Sequence, residues 1–312
     1  MTEVKTIWGD VLFSYDESKT TLAEEISKNK NLRRADLKGA DLSNVDLRGA
    51  FLIGANLIGA NLEMADLGDA DLRDADLSNA NLRGANLRNA ELKGVVLSKA
   101  DLSDACLTWA CLSHADISES KLTNANLCSA NIKWADLRWA NLCSAKLICA
   151  DLRWANINYA ILSSANISWA NISEASLRGA KLDGVVFTKA KFRYAKNVPD
   201  GLPMACPENG SFIAWKKVDR RYIIKLEIPE DAKRSSATSK KCRCDKAKVL
   251  EIIDLKTGEN IDEIVNTNFV SCTYTVGEMA YPDSFDMNRW NECSHGIHFF
   301  VDRDDAVNYN NN

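Results

Sequence analysis

The chain has 312 residues, of which 46% are hydrophobic, and a formal net charge of −4. That length accommodates two or three units of structure, and so small a net charge gives no sequence-wide case for affinity to nucleic acid or to a membrane. No apolar run approaches membrane-spanning length and Met1-Thr-Glu-Val-Lys5 lacks the shape of a signal peptide, so no membrane partner is expected.

Residues 1–34 read as a cap. Lys5 to Tyr15 suggest a short hairpin turning at Gly9-Asp10. Ser18 or Thr20 then caps a helix running to about Ser27, with Leu22, Ala23 and Ile26 on one face. The open end of a stacked β-structure exposes both backbone and core, and a segment of this kind covers it.

From Ala35 the sequence becomes a five-residue unit, Ala-Asp/Asn-Leu-x-x, whose register does not slip through thirty-two units. The central position holds only Leu, Ile or Phe. Two residues earlier stands Ala, except at Val45, Val95, Ser120 and Val185. A helix needs apolar residues every 3.6 positions and a flat strand every two, so a period of five fits neither. It suits a square coil in which each unit forms one side and ends in a tight turn. Four units close a circuit, so the thirty-two units make eight coils of twenty residues within a domain spanning 35–195, about 40 Å long at strand spacing. The Leu and Ala columns face inward. Gly39, Asn44, Gly49 and Gly54 fall at the last unit position, where a corner calls for positive φ. All five prolines lie beyond the repeat, where no backbone ladder needs their missing N–H.

This block resembles the pentapeptide-repeat family, which implies a mainly β fold, a right-handed quadrilateral β-helix; the cap also resembles the amino-terminal end of phage and bacterial members. The family includes DNA mimics that bind gyrase or other topoisomerases, enzyme-linked modules and members of unknown role, so the resemblance speaks to fold more than to function. DNA mimicry requires a strongly acidic face. Residues 35–194 hold 18 Asp+Glu against 17 Lys+Arg, and Arg73 interrupts the patch formed by Asp66, Asp69, Asp71, Asp74 and Asp76.

Outward positions one coil apart should stack. On the fourth side of the coil Trp134 and Trp154 follow one another, beside Lys133 and Arg153; on the first side Trp139 and Tyr159 do, beside Arg138. An aromatic and basic surface of this kind suits a protein partner. The same pattern also fits a stabilising ladder, a surface covered by the terminal domain or, as the least favoured reading, a platform for single-stranded nucleic acid. A homodimer is a further option for such a wall. Five of the ten cysteines (Cys106, Cys111, Cys128, Cys143, Cys149) point outward over three sides, which is the pattern of reduced thiols in a cytoplasmic protein.

Residues 196–206 form a Pro/Gly-rich linker. Residues 207–312 read as a small β-rich α+β domain with strands near 211–218, 222–228, 248–255, 269–279 and 296–301 and a closing helix over 302–309. Its phrases Cys206-Pro-Glu-Asn-Gly-Ser-Phe-Ile-Ala-Trp and Asn291-Glu-Cys-Ser-His-Gly-Ile-His resemble an uncharacterised domain appended to pentapeptide repeats in bacterial, phage and large-virus proteins.

Two kinds of chemistry are open to this domain. Cys242, Cys244, Cys293 and His295, with Cys206 and Cys272, supply enough sulfur and imidazole for zinc, but a one-residue gap and the absence of a second well-spaced pair favour ordinary cysteines. A basic loop over Lys233–Arg234 and Lys240–Arg243, facing His298 as acid or base, would suit a phosphate-bearing small molecule. Asp286, Arg289 and Glu292 lie nearby in sequence. No nucleophile elbow, phosphate-binding glycine loop or zinc-protease helix is present, and neither a reaction nor a cofactor is identified. The leading expectation is a cytoplasmic, non-catalytic protein-interaction scaffold. The alternative makes the terminal domain a ligand-binding or enzymatic unit with the solenoid as its handle.

Overall fold

The computed structural model describes residues 1–199, 206–207, 209–236, 240–266, 272–287 and 294–309. The chain divides into two compact units, Met1–Gly201 and Leu202–Asn312.

The first unit opens with an antiparallel hairpin, β1 (Thr2–Lys5) and β2 (Val11–Tyr15). The segment after β1 pairs with the first repeat: Asp36 N donates to Lys5 O at 2.8 Å and Ile7 N to Arg34 O at 2.7 Å. Helix α1 (Leu22–Lys28) follows and buries Ile26. Its N-cap is Thr21 rather than Ser18 or Thr20. Thr21 Oγ1 accepts from Glu24 N at 3.2 Å while the Glu24 carboxylate accepts from Thr21 N at 2.9 Å, the reciprocal pair that Thr-x-x-Glu permits. Ser18 is taken up by the Asp16 carboxylate instead.

The repeat then stacks by parallel bridges between residues twenty apart, in unbroken series from Asn31–Phe51 to Ser176–Lys196. Each unit repeats the same bonds. Around residue 137, Leu137 N donates to Asn156 O, Trp139 N to Asn158 O and Asn156 N to Ala135 O, at 2.8, 3.2 and 2.9 Å. Ala140 N closes the corner onto Leu137 O at 3.1 Å. The corner residue has φ near +60° whatever its identity, Gly39 at 66°, Asn44 at 60° and Trp134 at 61°, the left-handed third residue of a type II turn.

The inward Leu, Ile and Ala columns are buried along the coil. Ser120 fits the Ala column because its hydroxyl donates to Ile117 O at 2.7 Å, leaving no buried polar group unpaired. The preference for Asp or Asn before the central Leu has a local cause. Its Oδ1 accepts the N–H two residues on, as in Asp136 to Arg138 (3.0 Å) and Asp151 to Arg153 (3.2 Å), an Asx turn that starts each corner.

The second unit is built on a seven-stranded antiparallel sheet in the order β10-β7-β4-β3-β11-β6-β5. These strands are β3 (Phe212–Val218), β4 (Tyr222–Ile228), β5 (Arg234–Ser236), β6 (Lys241–Cys244), β7 (Ala247–Asp254), β10 (Met279–Ala280) and β11 (Ile297–Phe300). A separate hairpin joins β8 (Glu263–Asn266) to β9 (Cys272–Thr275), and helix α2 (Arg303–Asn308) closes the described chain. The stretch 240–243, expected as part of a basic loop, is largely strand β6, and Arg234 begins strand β5. The expected strand over 269–279 divides into β9 and β10 around a turn with Gly277 at φ 90°; residues 269–271 lie outside the described residues. One face carries the main core, including Ala214, Leu226, Cys242, Cys244, Ile297 and Phe299; the other packs Ile223, Trp215 and Phe300 with Ala306 of α2.

Candidate interaction surface

The corner residues carry the side chains of interest. A side chain leaving a left-handed corner leans over the same corner of the following coil, as the glycines there reveal. A Cβ added to Gly179 would lie 2.6 Å from Tyr159 Cδ1, so glycine is what lets that ring lie flat over the next coil. This lean aligns aromatic residues twenty apart into stacks. Trp134 and Trp154 have centroids 4.8 Å apart and planes 6° from parallel, and His114 continues the column at 6.3 Å and 2°. Trp139 and Tyr159 stack at 4.4 Å and 9° on the adjacent corner. Trp134 remains 53% exposed and Trp139 59%, so the stacks cover ring faces while the edges point outward. A base would have to intercalate to reach a face of Trp134.

The cations beside the rings are largely engaged by carboxylates. Arg153 Nε and Nη2 donate to the two oxygens of Asp151 at 2.9 and 2.7 Å, and Lys133 Nζ stands 3.7 Å from the same carboxylate. Burial raises the Asp151 carboxyl, but the hydrogen bonds and charge of Arg153 outweigh it and hold the group below its ordinary value. Arg138 is held by Asp136 at 2.7 Å in the same way. Arg153 also lies 5.3 Å from the Trp154 centroid. The wall therefore offers indole edges over locally neutralised charge, and anions gain little there.

Trp109 and Trp169, on the third corner, are 61% and 54% exposed. Lys189 Nζ sits 4.2 Å over Trp169. Among the described residues, Trp109 has neither a stacked ring nor a cation above it.

In the second unit the chemical candidates separate. Strand register pairs Arg234 with Cys244 and Cys244 with Ile297, while Ser235 pairs with Arg243 and Arg243 with His298. Alternation puts Arg234 on one face of the sheet and His298 on the other. The expected site between them therefore does not form, because the segments carrying the basic residues are strands instead of a free loop. Arg234 is occupied as a clamp: its Nη atoms donate to the carbonyls of Pro207, Gly210 and Pro229 at 3.1, 2.6 and 2.7 Å.

His298 is pushed down to about 3 by burial, with Lys241, Lys216 and Arg243 adding to the effect, so it is neutral at physiological pH. Lys216 is pushed down to about 8, chiefly by burial, and its Nζ lies 3.4 Å from His298 O; its sequence carried no signal of this environment. Cys242 and Cys244 are fully buried. The contact with Cys206 raises the Cys242 thiol and burial raises that of Cys244, so both thiols are protonated at neutral pH. His295 is exposed, 3.9 Å from Asp283, and Arg289, Glu292 and Cys293 lie outside the described residues. Among the described residues no three His, Cys, Asp or Glu side chains gather as metal ligands, and no helix is long and apolar enough to cross a membrane.

Comparison with known proteins divides the chain in a similar way. The profile for pentapeptide repeats matches in consecutive segments from residue 35 to residue 196, just over half of the chain. A family of unknown function, DUF5758, matches residues 202–306. Among solved structures, HetL, a pentapeptide repeat protein involved in heterocyst differentiation regulation from the cyanobacterium Nostoc, is 34% identical over 55% of this chain and 84% of its own, with a TM-score of 0.30. Rfr23 from the cyanobacterium Cyanothece is 27% identical over 44% of this chain and 90% of its own, at 0.27. QnrB1, a plasmid-mediated fluoroquinolone resistance protein, is 25% identical over 46% and 77%, at 0.23. No curated protein matches the chain.

Proposed function

The chain belongs to the pentapeptide-repeat family, and we propose that its repeat is a non-catalytic scaffold that binds a protein partner through the aromatic corners around Trp134, Trp154, Trp139 and Tyr159. The finer form of the solenoid in this reading is a right-handed rod of eight coils, with the terminal domain as a separate module and the cytoplasm as its setting. The observation that carries the reading is the placement of the rings. A bulky L-residue at positive φ costs about 1 kcal/mol or more, which Gly or Asn at the same corner largely avoids. Stacking returns about 0.5–1.5 kcal/mol per pair, roughly an even exchange for the columns. Trp109, exposed at φ 64° with no ring or cation over it among the described residues, has no such compensation there. Surface aromatics held at a net cost or at break-even favour contact with a partner, where Trp is enriched as an anchor.

The test uses the full chain as bait in lysate beside a Trp134→Asp/Trp154→Asp variant whose folding is checked by circular dichroism. Partner capture by the parent and its loss in the folded variant support the reading. Capture that survives the double substitution in the folded variant contradicts it.

A further inference from the structure

Excess charge of opposite sign collects toward the two ends of the repeat. Residues 55–74 carry five acids (Glu63, Asp66, Asp69, Asp71, Asp74) and one base, Arg73; residues 175–194 carry five bases (Arg178, Lys181, Lys189, Lys191, Arg193) and one acid, Asp183. Between these coils, cations tend to be paired where they stand, as Lys121 is with Asp101, Arg138 with Asp136 and Arg153 with Asp151. None of the five bases of the last coil has a carboxylate within ion-pair distance among the described residues, and all five are exposed. The two coils are six steps apart, about 29 Å at strand spacing. That is more than three Debye lengths at physiological ionic strength, so the two ends cannot neutralise each other within one rod.

We infer that the partner surface pairs with a second copy of this chain, rods antiparallel, through the side bounded by the third and fourth corners. This rests on the aromatic corners being an interaction surface. A two-fold axis at the level of Trp134, perpendicular to the rods, places each column against its own reverse. Asp69 then faces Lys189, Asp71 faces Lys191, and Asp74 faces Tyr194 beside Arg193. Trp134 meets its own copy, and His114 meets Trp154. The register also brings Arg73 near Arg193 and Lys133 near its own copy, but Arg73 and Lys133 each have a carboxylate at hand, Asp71 at 2.6 Å and Asp151 at 3.7 Å. A parallel pair would set acid on acid and base on base. A contact one side wide is small among protein interfaces, so the association is weak and salt-sensitive.

Sedimentation velocity of the full chain tests this with two charge-reversed variants, Asp69→Lys/Asp74→Lys and Lys189→Glu/Arg193→Glu. Lysine already occupies corners 99 and 189 at φ 61° and 57°, so the first variant keeps a tolerated backbone. The parent should dimerise at about 50 mM salt and weaken at least tenfold by about 500 mM. Each variant alone should be monomeric, and an equimolar mixture should form dimers, because one end of the heterodimer keeps the parent's acid–base contacts and the other regains them with inverted sign. Trp134→Asp should abolish dimerisation of the parent.

A parent that stays monomeric at about 200 µM in low salt, a mixture that does not pair, or a dimer indifferent to Trp134→Asp overturns the proposal. A monomer that still captures another protein through Trp134 and Trp154 discards self-pairing and leaves the interaction-surface reading standing. Loss of both discards the two together.

Discussion

Most of what separates this repeat from a featureless rod lies in single residues at its corners. Every corner imposes φ near +60°, and the residue found there reports what its site tolerates or requires. Gly179 is required, because the Tyr159 ring occupies the space of its Cβ. Gly179→Ala should displace that ring, weaken the Trp139–Tyr159 stack and cost on the order of 1 kcal/mol, read as a change in near-ultraviolet circular dichroism with a lowered melting temperature. In the second unit Lys216 is poorly accommodated. Its ammonium is desolvated, with one long hydrogen bond to His298 O and the Tyr274 ring centroid 5.8 Å away. Replacing a poorly satisfied buried charge by an apolar side chain of similar length relieves desolvation. Lys216→Met is therefore expected to stabilise this unit by on the order of 1–3 kcal/mol at neutral pH, measurable by urea unfolding.

Among the secondary-structure elements, the ones legible in the sequence were those whose pattern is forced by burial. The pentapeptide period, β3, β4 and β11 all announce themselves through apolar spacing. Strands β5 and β6 do not, because Arg234-Ser-Ser and Lys241-Cys-Arg-Cys read as a polar loop; β6 is a strand because it pairs with β11 and β5 because it pairs with β6, and Arg243 donates to Ser235 Oγ and His295 O. The aromatic stacks were legible from twenty-residue spacing alone, whereas the carboxylates that neutralise Arg153 and Arg138 were visible as residues but not as partners. For α1 the deciding signal was Glu24, which selects Thr21 over its neighbours; Thr21→Ala should cost about 1 kcal/mol of cap stability.

Strand β11 also makes the second unit sensitive to acid. His298 is held neutral down to about pH 3 when folded, whereas an unfolded histidine takes up a proton near pH 6.5. The unfolded state thus binds more protons between those values, and the stability contributed by neutral His298 is complete above about pH 6.5 and lost as pH falls toward 3. Comparing urea midpoints at several pH values should show a smaller acid loss in His298→Leu than in the parent.

The repeat unit is a stack in which each coil contacts only its neighbours, so its stability accumulates interface by interface. Rings on the outside of such a stack are either part of that sum or additional to it. For an interaction surface at Trp134 and Trp154 they are additional: relief of two positive-φ aromatics offsets the lost stack, and the surface serves an external contact. The direct test is equilibrium unfolding of the Trp134→Asn/Trp154→Asn variant, since asparagine is the residue best suited to the corner after glycine. An unfolding free energy within about 1 kcal/mol of the parent is predicted. A loss of several kcal/mol would contradict it and make the column an internal brace.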